Sequence, residues 1–190
     1  HTMHYQITMD ALNAGKHVLC EKPIAVNSKQ AAEMFALAKK KNLFLMEAVW
    51  TRFFPIVKEL KKLIHEDKVI GEVTRMAMDF SIDQHLEDLG PESRLKNPKY
   101  AGGCLLDMGI YNLTYWRLFL DTGLGKDAVK FGVKSYQDVD GGIDRQTEII
   151  IRQADQKQAS LTTSWMNKSD YYYCRIDGSK GHIVIGGNFS

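Results

Sequence analysis

Cysteine is scarce in this chain: three in 190 residues, Cys20, Cys104 and Cys174, far apart and odd in number. That excludes a disulfide-stapled scaffold, and with no C-x-x-C and no Cys/His ligand spacing no metal site is expected. Unpaired thiols fit a reducing, cytoplasmic compartment. Charge of one sign is also lacking. Lys plus Arg number 25 against 23 Asp plus Glu, a net +2, so no strong field draws the chain to nucleic acid or to a membrane. No apolar run approaches the roughly 20 residues of a membrane span, and no signal peptide is visible. Internal repeats and low-complexity segments are missing. So is a glycine-rich phosphate loop: no G-x-G-x-x-G occurs, and Gly102-Gly103 and Gly186-Gly187 have the wrong spacing for one.

What is there has the composition of an ordinary soluble globular protein, 44% hydrophobic and 25% charged. Residues 1 to 14 read as a helix carrying Met3, Tyr5, Ile7, Ala11 and Leu12, with Gly15 placed to end it. His17 to Cys20 reads as a short buried strand. Asn27 or Ser28 caps a second helix with Ala31, Met34, Phe35 and Ala38 on one face. The Lys39-Lys40-Lys41 run at its close is a solvated face that suits the helix dipole, and Asn42 ends it. Leu43 to Met46 is a second buried strand. This order predicts a parallel sheet covered by helices.

After Trp50 the style changes. Pro55 opens a helix with Ile56, Val57, Leu60, Leu63 and Ile64 as its stripe. Residues 72 to 82 alternate as a long half-buried strand, with Met76, Met78, Phe80 and Ile82 on one side. Residues 83 to 100 read as a polar loop and 105 to 120 as a helix. Strands follow near 129–138, 145–152, 158–166, 171–177 and 182–185, joined by turns such as Asp140-Gly141-Gly142 and therefore expected to pair antiparallel. The fold class is thus α/β then α+β. Residues 1–50 form the C-terminal part of a Rossmann-like parallel-sheet domain. Residues 51–190 form a domain with a mostly antiparallel sheet flanked by helices. His1 begins inside an element and the second domain reads as unfinished, so the expectation is a fragment of a longer protein, truncated at both ends.

Two stretches carry chemistry. In "GKHVLCEKPIAV", residues 15–26, a strand stops on Glu21, Lys22 and Pro23. Ligands of doubly wound sheets bind beyond the carboxyl ends of the strands, and proline stiffens the backbone behind the lysine. The bland reading is a surface lysine. In "AGGCLLDMGIYNLTYW", residues 101–116, Asp107 and Tyr111 stand four apart near a helix start and share a face. Gly102-Gly103 permits a close backbone approach or an unusual turn. The bland reading here is a capping acid and a half-buried tyrosine.

Together these stretches resemble the Gfo/Idh/MocA oxidoreductases, which carry "ALxAGKHVLCEKP" and, downstream, "GGGxxxDxGxH/Y". This chain has "ALNAGKHVLCEKP" at 11–23 and "AGGCLLDMGIY" at 101–111. The segment "LMEAVWTRFFP" at 45–55 looks most like the dimeric dihydrodiol dehydrogenase and NADP-dependent D-xylose dehydrogenase branch, and Tyr111, where many relatives have histidine, agrees. The resemblance implies NADP, with NAD possible, and hydride transfer to or from a carbinol carbon of an aldose such as D-xylose or of a cyclic vicinal diol. By it Lys22 is the catalytic lysine and Tyr111 the acid/base. Asp107 is their helper, either holding Lys22 or setting the local charge. The Lys22 ammonium and an oxidised nicotinamide would both favour the Tyr111 phenolate. His4 matches a histidine beside the cofactor in the family's "NxxH" pattern, with His1 standing at the asparagine position. Glu21, Lys22, Pro23, Glu47, Trp50 and Arg52 fall on the cofactor side by the same resemblance. Trp50 is either an apolar wall for nicotinamide or substrate or a domain-interface aromatic. Trp165 reads as sheet packing or dimer interface. His85, Arg94, Lys96 and Asn97 are loop candidates for sugar hydroxyls. The Tyr171-Tyr172-Tyr173 run suits a homodimer through the antiparallel sheet. The alternative is a non-catalytic, cofactor-sensing regulator of the same superfamily.

Overall fold

The structure, a computed structural model, describes residues 1–120, 123, 125–137 and 142–187. Helix α1 spans His4–Asn13. It ends where Gly15, at φ 74°, turns left-handed. The Gly15 and Lys16 N–H groups then donate back to the carbonyls of Leu12 and Ala11, the paired C-terminal cap that favours glycine. Strand β1, Val18–Glu21, leads to α2, Ser28–Lys40. The Asn27 side chain caps α2 by accepting from the Gln30 N–H at 3.0 Å. Asn42, at φ 54°, ends it as expected. Strand β2, Leu45–Ala48, pairs parallel with β1, Cys20 opposite Glu47 and Glu21 opposite Ala48. Lys22-Pro23 and Val49-Trp50 therefore leave the sheet side by side.

The small core here is Cys20, Ala25 and Met34, with Tyr5, Met9 and Ile24 against it. The expected apolar faces are only partly covered. Leu12 is buried, but Met3, Ile7 and Phe35 are exposed. Leu19 is exposed as well, because alternate residues of β1 point to opposite faces and among the described residues only the Cys20 side is packed.

Beyond a 3-10 turn at Trp50–Phe53, α3 covers Pro55–Lys61 and continues as a wider π-turn over Lys62–Glu66. Strand β3 is Val73–Asp79. Met76, Met78 and Phe80 are buried as read, while Ile82 lies past the strand and is exposed. The helix expected at 105–120 begins as a π-turn, Leu105–Gly109, and becomes α4, Ile110–Phe119. Strands β4 (Val129–Gln137), β5 (Asp144–Gln153), β6 (Gln158–Ser164), β7 (Tyr172–Gly178) and β8 (Gly181–Gly186) complete the domain. The turn read at Asp140-Gly141-Gly142 falls largely outside the described residues.

The sheet order is β4-β5-β6-β3-β7-β8. Here the antiparallel expectation needs one correction. β6 does not pair with its successor β7; β3 lies between them, parallel to β6 and antiparallel to β7. The connection at 165–171 crosses the end of β3 instead of reversing, and N–H groups of Phe80, Ile82 and Gln84 donate to carbonyls of Thr162, Ser164 and Trp165 across it. The sheet is mixed, mostly antiparallel. One face buries Met76, Ile149, Ile151, Leu161 and Ile176 beneath α3 and α4; among the described residues the other is left open. Trp165, 1% exposed, packs in this core with its indole N–H on the Met108 sulfur.

Candidate active site

The turn after β1 is braced from two elements. The Glu47 carboxylate on β2 accepts from the Ile24 N–H at 2.7 Å. His4 on α1 meets the Pro23 carbonyl through Nδ1 at 2.7 Å, which fixes the proton on Nδ1 because a carbonyl only accepts. Pro23 is buried and its peptide bond with Lys22 is cis. Lys22 reaches the start of the helix bearing Tyr111. Its ammonium donates to Asp107 twice, to the backbone carbonyl and to Oδ1, the latter at 2.8 Å. Both side chains are mostly buried, 16% and 13% exposed. Asp107 thus pairs with the lysine, and its charge also acts on Tyr111. The same Oδ1 lies 3.6 Å from Arg94 and 3.7 Å from the His1 imidazole.

Tyr111 stands one turn further on, 5% exposed. The Lys22 Nζ lies 5.1 Å from its ring centre. Trp50 donates its indole N–H to the Tyr111 hydroxyl oxygen at 2.8 Å, and Phe80 meets the Tyr111 ring edge-on at 5.2 Å. Burial pushes the Tyr111 phenol above its ordinary value; the Trp50 hydrogen bond opposes this, and the negative charges of Asp107 and Glu21 reinforce it. Of the two cations expected to favour the phenolate, the Lys22 ammonium is present here and is itself paired with Asp107. The lysine's charge is matched by Asp107, and the group that stabilises the oxygen directly is Trp50.

The residues read from sequence divide accordingly. Lys22, Asp107, Tyr111 and Trp50 converge, and Glu21 adjoins them, with its carboxylate accepting from the Lys22 N–H at 3.2 Å. His4, Pro23 and Glu47 shape the turn that carries the lysine. Arg52 lies exposed on the turn at Trp50–Phe53 and is not drawn into the cluster. In the loop, Lys96 holds the carbonyls of Leu86 and Leu89, and Asn97 caps the turn at Pro98–Tyr100; both are structural. Arg94 is the loop residue that reaches the site.

Two contributors were missed. Phe80 reads as a core position by its alternation, and nothing in its spacing marks the ring it meets. It also lines a cavity of about 670 Å³ with Asp83, His85, Lys168 and Asp170. Asp144, at the start of β5, accepts through Oδ2 from the Leu105 N–H and the Thr147 hydroxyl, each at 2.8 Å, and from the Cys104 thiol at 3.1 Å. It caps the turn that bears Asp107. Only the neighbouring glycine pair hinted at a close approach there.

A nicotinamide needs a flat, partly apolar seat beyond the carboxyl ends of parallel strands. The residues present fit its reactive end: Trp50 is 42% exposed beside Tyr111, and β1 and β2 deliver Lys22 and Trp50 to the same edge.

Both parts of the chain are similar to known proteins. Residues 1–49 match the oxidoreductase family NAD-binding Rossmann fold. Residues 57–184 match the GFO/IDH/MocA C-terminal domain. D-xylose 1-dehydrogenase (NADP(+)) of Hypocrea jecorina is 38% identical over 97% of this chain and 50% of that protein. Trans-1,2-dihydrobenzene-1,2-diol dehydrogenase of Xenopus tropicalis is 32% identical over 97% of this chain and 53% of that protein. The aldose-aldose oxidoreductase of Caulobacter crescentus, solved with glycerol, superposes with a TM-score of 0.84 at 26% identity over 97% of this chain and 53% of that one. The chain therefore spans about half the length of these relatives. By its lysine-bearing turn, its tyrosine helix and both family matches, the chain belongs to the Gfo/Idh/MocA oxidoreductase family.

Proposed function

We propose that this chain carries the proton-handling half of an NADP-dependent dehydrogenase active site acting on the CH–OH group of an aldose or a cyclic vicinal diol. The observation that carries the reading is the convergence of the Lys22 ammonium, the Asp107 carboxylate and the Tyr111 phenol at the edge where β1 and β2 end. The activities named for the xylose and dihydrodiol dehydrogenases support it. Lys22, Pro23, Glu21 and Trp50 would border the nicotinamide, with His4 and Glu47 supporting them. The cofactor, when bound, supplies the hydride acceptor or donor.

The chain's own residues handle the proton. In oxidation the Tyr111 oxygen takes the hydroxyl proton while the C–H electron pair departs as hydride and the O–H pair closes the carbonyl π bond. In reduction the phenol returns that proton to the carbonyl oxygen. Two of the three Lys22 N–H donors go to Asp107, which leaves one for the substrate oxygen. Asp83, His85, Lys168 and Asp170 offer donors and acceptors of the kind a polyol requires.

The test is a panel of aldoses and cyclic diols with the natural gene product, following nicotinamide absorbance with NADP and NAD separately. Tyr111→Phe and Lys22→Ala are expected to lower kcat/KM by roughly 10²- to 10⁴-fold. Full activity in Tyr111→Phe, or no turnover of any member of the panel, overturns the reading.

We infer further a homodimer through the open face of the six-stranded sheet. That face presents Tyr172 (67% exposed), Tyr136, Val184 and Ile150 among the charges of Arg75, Arg175 and Asp177. Light scattering after size exclusion checks it, and a monomer at every concentration refutes it. Three buried, unpaired thiols support a cytoplasmic setting. Among the described residues no helix is long and apolar enough to cross a membrane.

A further inference from the structure

We infer that Trp50 is a positioning residue whose indole N–H fixes the Tyr111 oxygen and favours its phenolate, so that it sets the pH at which the tyrosine accepts a proton. This rests on the reading of Tyr111 as the proton-transferring group. The geometry carries it. The indole nitrogen lies 2.8 Å from the hydroxyl oxygen, and an indole N–H donates only. The direction of this bond is therefore fixed, unlike a bond from a hydroxyl or a neutral imidazole. A donor of that kind stabilises the anion more than the neutral phenol.

The donor is held in place before any ligand arrives. Trp50 opens the turn at Trp50–Phe53 between Val49 and Thr51, each 1% exposed. Its ring meets Phe54 edge-on at 5.0 Å and Tyr111 at 5.6 Å. Such a preorganised dipole needs no rearrangement when charge develops on the oxygen.

The other groups around Tyr111 leave this task to Trp50. Lys22, from the turn after β1, faces the ring and is hydrogen-bonded to Asp107. Arg94 and His1 reach that same carboxylate. Glu21, at the end of β1, and Asp107 disfavour the phenolate by their charge, as does burial, while the Trp50 bond works against all three. Phe80 contributes an apolar ring.

The test separates a hydrogen-bond role from an apolar wall. Trp50→Phe keeps a ring and removes the N–H. In the natural gene product labelled with 13Cζ-tyrosine, the Tyr111 signal is assigned by its loss in Tyr111→Phe. In Trp50→Phe its titration is expected to move up by about one pH unit. The acid limb of alcohol oxidation should move by the same amount, so that turnover falls up to about tenfold below the shifted limb and recovers above it. An unmoved titration with a uniform loss at every pH overturns the inference and leaves Trp50 a wall. Should Trp50→Phe fail to fold, (3-benzothienyl)alanine at position 50 preserves the shape with sulfur in place of the N–H, and the same two outcomes decide. A fully active Tyr111→Phe would instead remove the acid/base reading of the tyrosine, a separate result from the titration.

Discussion

Lys22 owes its place to one acid. Asp107 takes the ammonium on both its carbonyl and its carboxylate, and its oxygen also meets Arg94 and His1. Removing the carboxylate leaves a mostly buried cation with only a carbonyl partner, and a buried charge left short of partners is costly. Asp107→Ala should therefore lose about 1–3 kcal/mol of stability by urea denaturation. Asp107→Asn keeps an acceptor oxygen and should recover at least half of that loss. Equal destabilisation by both would show that the negative charge, not the acceptor, matters. His4 and Glu47 act one step further back, on the backbone behind the lysine.

The element that matters most is the unusual start of the Tyr111 helix. Gly103 sits at φ 122°, and a Cβ there would fall 2.1 Å from the Asp144 carboxylate oxygen. A Cβ on Gly102 would fall 2.6 Å from the Leu95 carbonyl. The glycine pair thus lets Asp144 approach and cap the Leu105 N–H. Gly103→Ala would strain the backbone and displace that cap together, at a cost of about 1–3 kcal/mol. Urea midpoints measure it; an unchanged midpoint would mean that the turn adjusts freely. Asn112, which donates to the Thr162 carbonyl, and Trp165, on Met108, fix the rest of the helix to β6 and the strand connection, so the expected loss is local.

For the whole molecule, the buried acids of the second domain set an alkaline limit. Burial pushes the Cys104 and Cys174 thiols and the Tyr115 phenol far up, and raises Tyr173 as well. A folded pKa raised above the unfolded one gives stability that is complete below the unfolded pKa and is lost as pH climbs from there towards the folded value. Unfolded thiols and phenols ionise near about 8.5 and 10. Stability should hold from neutral pH to about 8 and fall steadily above about 9. Urea denaturation at stepped pH checks this, and a flat profile to pH 11 would contradict it.

Much of this was legible in the residues. Helix and strand order followed from apolar spacing, Gly15 and Asn42 marked the helix ends that form, and His17 to Cys20 read as a strand, though only Cys20 of it is buried, because strand formation is a local property of neighbouring side chains and burial is not. Lys22 and Tyr111 were legible through two motifs as well. What the sequence could not hold was distance between remote residues. That β3 slips between β6 and β7, that Asp107 grips Lys22, that Trp50 donates to Tyr111 and that Asp144 caps a helix start 39 residues earlier all depend on how packed layers bring strand ends together. Such contacts have no spacing along the chain; only the folded backbone, closing around its two apolar cores, decides them.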